Sequence, residues 1–362
     1  MADVSGHAEP YDALLLVSFG GPEGPGDVLP FLENVTRGRP VPRERLEQVA
    51  EHYLGFGGRS PINDQNRALL AAVEADLAAH DIDVGLYWGN RNWDPFLGAA
   101  VEQMAADGVR RAACLVTSAY SSYSGCRQYR ENLFDAAASV AGAPRLDRLR
   151  HYGNHPGFVA PFVDATVAAL REMPVGSRLV FVTHSIPVSM ARTSGPEGHA
   201  YERQHQVVAA EVARQVGDAG WDPDWDLAYC SRSGSPRTPW LEPDVNDQLE
   251  ALAKAGVPGA VVVPIGFVSD HMEVIHDLDT EARATAHRLG LPMARVATPG
   301  TDPRFVAMVR ELLVERAAVE RGERAVRPTV AGTEPLWDRC PAGCCADPAR
   351  EHTAERPAVG GR

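Results

Sequence analysis

Hydrophobic and polar positions along this chain follow a repeating two-part rhythm. Short apolar runs at 13–17, 84–88, 112–116 and 146–152 are each followed by a longer stretch of one-sided apolar spacing that ends near glycine or proline. The rhythm resumes after Pro156, with apolar runs at 178–182, 226–230, 260–264 and 293–297 and helical spacing over 158–171, 201–215, 245–255, 271–288 and 304–320. Strands joined by helical crossovers must run parallel. The pattern therefore predicts an α/β protein of two doubly wound, Rossmann-like domains, each with an about four-stranded parallel sheet. The expected divisions are 10–150, 151–322 and a tail over 323–362, with the domain boundary between 140 and 156. The tail is rich in proline, glycine and charge and is expected to be irregular unless its cysteines pin it.

Composition agrees with two ordinary cores: 362 residues, 44% hydrophobic and 23% charged. A net charge of −13 argues against nucleic acid or an anionic membrane as the main partner, and it would attract a divalent cation. No run reaches the length needed to span a bilayer, and the first ten residues lack the build of a signal peptide. The expected location is the cytoplasm, where thiols stay reduced. Three of the six cysteines, Cys340, Cys344 and Cys345, fall in the tail, which reads as a metal-ligand cluster. Their spacing is not that of a zinc ribbon, and adjacent cysteines suit two different irons better than one tetrahedral zinc. Zinc and free thiols stay open.

Ligands of parallel α/β sheets gather beyond the carboxyl ends of the strands, so the residues after each apolar run carry the candidate chemistry. Ser18-Phe19-Gly20-Gly21-Pro22 lacks the dinucleotide fingerprint, and its glycines serve a tight turn or a close backbone approach. Thr183-His184-Ser185 puts an imidazole at a strand tip, where it can bind a metal or take a proton, or else be a core histidine bonded to the backbone. In the predicted helix from 271, Glu273, Asp277 and Glu281 stand at i, i+4 and i+8 on one face, a repulsive row that solvent or cations must relieve. The 117–130 loop offers Tyr120, Tyr123 and Tyr129 as flat faces for a planar ligand and Arg127 and Arg130 for carboxylates; packed aromatics at a helix start explain it equally.

Taken in order, Ser18-Phe19-Gly20-Gly21-Pro22-Glu23, Gly57-Gly58-Arg59-Ser60-Pro61-Ile62, Thr183-His184-Ser185-Ile186-Pro187, Pro239-Trp240-Leu241-Glu242-Pro243 and Phe267-Val268-Ser269-Asp270-His271-Met272-Glu273 resemble the successive motifs of the ferrochelatase family over roughly 11–320. With its cysteine tail on an acidic chain, the sequence is most similar to the actinobacterial branch that uses coproporphyrin. The resemblance implies insertion of Fe2+ into coproporphyrin III to give coproheme, with transient handover to a downstream decarboxylase, and the acidic, charged surface, which gives no hint of an obligate interface, suggests a monomer. Other tetrapyrroles (protoporphyrin IX, sirohydrochlorin) and an iron-sulfur or heme sensor on the same scaffold are the alternatives.

The resemblance further implies that His184 and Glu273 face each other across the macrocycle centre, binding iron and accepting protons, while Asp277 and Glu281 continue a path for metal or protons. Ser60, Tyr129 and Tyr53 match porphyrin-contact positions, and Arg37, Arg39 and Arg127 are candidates to pair with propionates. A 2Fe-2S cluster with ligands Cys126, Cys340, Cys344 and Cys345 is implied, Cys126 lying in an exposed loop and Cys114 in the core. Two departures stand out: Phe19 occupies a position where relatives carry a tyrosine able to ligate iron, and Cys230 one where they carry tryptophan.

Overall fold

A computed structural model describes residues 8–38, 41–233, 237–330 and 332–348. Two four-stranded parallel sheets organise it. The first holds β1 (Ala13–Ser18), β2 (Gly85–Asn90), β3 (Arg111–Val116) and β4 (Arg145–Arg148) in the order β2-β1-β3-β4. The second holds β5 (Arg178–His184), β6 (Trp225–Cys230), β7 (Ala260–Val263) and β8 (Met293–Arg295) in the order β6-β5-β7-β8. Central strands covered on both faces need apolar side chains throughout, and β1 and β7 are buried at every position.

The helices of the first half are α1 (Val28–Val35), α2 (Arg43–Gly55), α3 (Ile62–Ala79), α4 (Leu97–Ala106) and α5 (Gln128–Ser139). Those of the second are α6 (Pro156–Glu172), α7 (Val188–Arg192), α8 (Ala200–Asp218), α9 (Val245–Lys254), α10 (Met272–Val274), α11 (Arg283–Leu289) and α12 (Pro303–Glu320). The last of these crosses back to pack on α3 and α6. One continuous core thus runs from Leu14 and Leu16 of β1 through Phe158 and Phe162 to Phe181 of β5 and Val261 of β7.

Two predicted elements end differently. The run at 146–152 leaves the sheet after Arg148 because Arg150 turns inward to a buried two-point ion pair with Glu315 of α12, at 2.7 and 3.0 Å. The helix expected over 271–288 is three pieces: α10, a π-helix over Ile275–Ala282, and α11. Wide π turns are rare and concentrate at functional sites. The tail carries neither helix nor strand among its described residues. Ion pairs hold it, Arg327 to Glu315 at 2.8 Å and Arg339 to Glu320 at 2.8 Å, with the Val330 N–H donating to the Asn154 carbonyl at 2.9 Å.

Candidate active site

His184 is the last residue of β5, and Glu273 lies in the first turn of the helical segment that follows β7. These strands are hydrogen-bonded neighbours running the same way, so their carboxyl ends deliver both side chains to one spot. Gly266 lets the two strand ends close up: a Cβ there would lie 2.2 Å from the Thr183 hydroxyl oxygen. His184 Nε2 stands 3.6 Å from a Glu273 carboxylate oxygen, the side chains 35% and 50% exposed, so the pair is open to solvent. Nδ1 lies 2.5 Å from the Ser185 carbonyl; donation there leaves the Nε2 lone pair on the Glu273 side.

That separation corrects one expectation. No flat ring passes between groups 3.6 Å apart, so this arrangement leaves no gap for a macrocycle between His184 and Glu273.

Electrostatics follow from the pairing. Burial disfavours a charged His184, but the hydrogen bond and charge of Glu273 outweigh it, and the imidazole pKa is raised. Burial likewise opposes the Glu273 carboxylate, yet His184 and then His271 pull its pKa down to about 2. Asp277 goes the other way, to about 6: burial raises it, the Ser231 hydroxyl that donates to its carboxylate counteracts, and the charges of Glu273 and Glu281 push it further up. A carboxyl that titrates near neutrality beside one that stays ionised is the pattern of a proton relay.

The acidic row acquires a histidine that its spacing did not point to. His276, Asp277 and Glu281 place donor atoms within 4.8 Å of one another, a possible seat for a metal ion, and the His276 ring stacks on His52 of α2 with centroids 4.2 Å apart. His271, which accompanies the row in the sequence, lies close enough to Glu273 to help hold its charge, whereas Ser231 was missed. Histidine at position 276 and serine after the β6 strand were the available signals, unusable without knowing which residues share the site.

The porphyrin-contact candidates divide. Ser60 is buried against Gly21, whose Cβ would sit 2.7 Å from the Ser60 Cβ, so that glycine permits close loop packing. Tyr53 is buried in a cluster with Phe31 and Met272, its hydroxyl held protonated by burial and by the charges of Glu273 and Asp277. Tyr129 is 4% exposed, its ring under the Arg91 guanidinium at 4.4 Å. Tyr120 and Tyr123 are buried as well, Tyr120 donating to the Ile265 carbonyl at 2.9 Å, so these two tyrosines form packing rather than an open platform. Arg127 bonds Glu131 at 3.0 Å and the Ala342 carbonyl at 2.9 Å, serving the tail. Arg37 is exposed, and Arg39 lies outside the described residues. Phe19 packs edge-on to Phe31, and Cys230 is buried in the core of the second sheet.

Cys126 is not in an exposed loop; it is 3% exposed in a π turn over Tyr123–Arg127 and meets Cys340, Cys344 and Cys345 in one cluster. The thiols contact one another in a ring, Cys126 with Cys340 and Cys345, and Cys344 with Cys340 and Cys345, the last pair at 3.8 Å. Hydrogen bonds from those neighbours pull the Cys126 and Cys344 thiols down, Cys344 to about 4. The Arg148 guanidinium donates to Cys126 Sγ at 2.9 Å. Cys114 is fully buried in β3, as expected.

A family model described as "Ferrochelatase" matches residues 11–317. Among curated relatives, "Coproporphyrin III ferrochelatase" of Streptomyces coelicolor is 57% identical, covering 98% of this chain and 97% of its own. The protein of the same name from Frankia alni is 59% identical, covering 93% and 87%, and that of Mycobacterium marinum 50%, covering 96% and 97%. Among solved structures, "SirB from Bacillus subtilis with Fe3+" is similar with a TM-score of 0.53 at 14% identity, covering 86% of this chain and 97% of that one, a likeness of fold.

Proposed function

The chain belongs to the ferrochelatase family, and we propose that it inserts Fe2+ into coproporphyrin III, releasing coproheme and two protons. Identity to enzymes of that name over nearly the whole chain supports the substrate. The solvent-accessible His184–Glu273 pair, 3.6 Å apart, is the observation that supports the chemistry.

Replacing two pyrrole protons by a metal needs a base at the ring nitrogens and donors of intermediate strength that take over part of the iron's water shell. We assign both tasks to His184 and Glu273, acting together. With Nδ1 held on the Ser185 carbonyl, Nε2 takes the proton, and the raised pKa keeps it there. Glu273 stays anionic and offsets the positive charge of imidazolium and incoming iron. Asp277 can accept a proton near neutrality and pass it outward, and with Glu281 and His276 it supplies an acidic path for iron entry. Ser60 and Tyr53 are the proposed porphyrin contacts, with Arg37 and Arg39 as propionate partners; Tyr129 and Arg127 would first have to leave their present neighbours.

The four clustered cysteines fit a 2Fe-2S cluster better than zinc. Cys126, Cys340, Cys344 and Cys345 lie together, and the adjacent pair Cys344–Cys345 suits two different irons better than one tetrahedral ion. Cys126, Cys340, Cys344 and Cys345 would hold the cluster, which when bound supplies a one-electron couple and a cross-link between tail and body. A cytoplasmic monomer passing coproheme to a decarboxylase completes the reading; no helix among the described residues is long and apolar enough to cross a membrane.

Iron insertion measured side by side with coproporphyrin III, protoporphyrin IX and sirohydrochlorin tests the substrate, and faster turnover of either competitor overturns it. His184→Ala and Glu273→Ala should fold and lose insertion; near wild-type rates would refute the assignment. Anaerobically purified protein should be coloured and contain acid-labile sulfide, and a colourless, iron-free preparation removes the cluster.

A further inference from the structure

The cysteine tail touches both halves of the molecule, and besides its ion pairs to α12 it meets the second half on the segment that begins at His184. Thr193 Oγ1 donates to the Ala346 carbonyl at 2.9 Å, and the Gly195 N–H donates to Cys345 Sγ at 3.1 Å. From there a line of bonded neighbours leads back to the imidazole. Fully buried Ser194 accepts from the Tyr201 N–H at 2.9 Å, and the Tyr201 hydroxyl donates to the His184 carbonyl at 2.7 Å. The His184 ring is then fixed through Nδ1 on the next carbonyl. This path has little slack: Gly195 has a φ of +73°, and a Cβ there would stand 2.4 Å from the Ala200 Cβ at the start of α8.

We propose that the cysteine site is a positioning device for the catalytic imidazole, with Cys345 acting through Gly195, Ser194 and Tyr201 to set where His184 Nε2 stands beside Glu273. The proposal rests on His184 being the group that takes the pyrrole proton. A sulfur that accepts an N–H bond as thiolate holds it more strongly than a thiol does, so a loaded cysteine site grips Gly195 harder than an empty one. Gly195, Ser194 and Tyr201 are positioning residues, because the imidazole alone meets the reacting atoms. Bonded neighbours become a coupling path only if a change at one end moves the other, and that is measurable.

The test uses the full chain as wild type, Cys345→Ala, Tyr201→Phe and the double variant, with Cys345→Ser as a control. The readouts are the His184 imidazole NMR signal at one fixed pH without porphyrin, and kcat and KM for insertion. Cys345→Ala is expected to move the His184 signal and lower kcat about tenfold, well short of the roughly hundredfold loss that a 1 Å misplacement can cause, with porphyrin KM unchanged. Cys345→Ser, which restores an acceptor, should recover part of both. In the Tyr201→Phe background, Cys345→Ala should add nothing. An unmoved signal in Cys345→Ala, or fully additive effects in the double variant, overturns the proposal. Should Cys345→Ala fail to fold, Thr193→Val removes the bond to Ala346, together with a longer one to the Met190 carbonyl at 3.3 Å, and carries the same comparison. Failure of the underlying readings stays distinct: absent sulfide in wild type removes the cluster, and an active His184→Ala removes the base, while the NMR comparison reports on coupling in either case.

Discussion

Replacing Glu273 by glutamine keeps the shape of the catalytic pair and removes its charge. At 3.6 Å the attraction between the carboxylate and a protonated His184 is about 1 kcal/mol at the dielectric of water and about 5 kcal/mol at an effective dielectric near 20. Both side chains are more than a third exposed, which places the value near the lower end, about 1–2 kcal/mol, or on the order of one pKa unit. The sign is fixed. Burial alone disfavours imidazolium, and Glu273 is what raises the His184 pKa, so Glu273→Gln must lower it. The base then stays free to more acidic pH, and the acid limb of the kcat/KM profile should move down by about one unit. The plateau should fall by about 100-fold or more, because the second donor to iron is weakened. Insertion rates followed from pH 5 to 9, with the His184 imidazole titrated by NMR, give both quantities. An acid limb that stays put or moves upward refutes the electrostatic coupling, whatever happens to the plateau.

Asp277→Asn tests the raised carboxyl. Its folded pKa near 6 against a usual 3.8 means that the charged form is disfavoured in the native state, a penalty fully present above pH 6 and gone below about pH 4. The variant should therefore be more stable by about 3 kcal/mol in urea at pH 7.5 but not at pH 4, with slower insertion; equal stability at both pH values contradicts the assignment. Gly266→Ala forces a Cβ onto Thr183 and should lower the melting temperature and kcat together; a silent substitution would show that the β5–β7 contact does not position the pair. Glu315→Ala strands the Arg150 guanidinium, which is fully buried, and is expected to lose about 3–5 kcal/mol in denaturant unfolding; a loss under 1 kcal/mol would show that Arg150 finds another partner.

Local pattern carried a large part of this protein. The apolar runs and helical spacing dictated eight strands and their parallel crossovers, because burial on both faces of a central strand leaves no freedom at β1 or β7. The position of His184 at a strand tip and the acidic row after β7 were legible for the same reason. The cysteine motif in the tail was legible from spacing alone. Three matters needed the fold. Strand order put β5 beside β7, and only that adjacency turned two residues 89 positions apart into a pair with no gap for a ring between them. The π-helix widened the turn that groups His276 with Asp277 and Glu281, a geometry that a 3.6-residue period does not describe. Burial drew Tyr120, Tyr123 and Arg127 away from the site and seated the tail against both halves, since the partners of those side chains lie far along the chain, where periodicity carries no information.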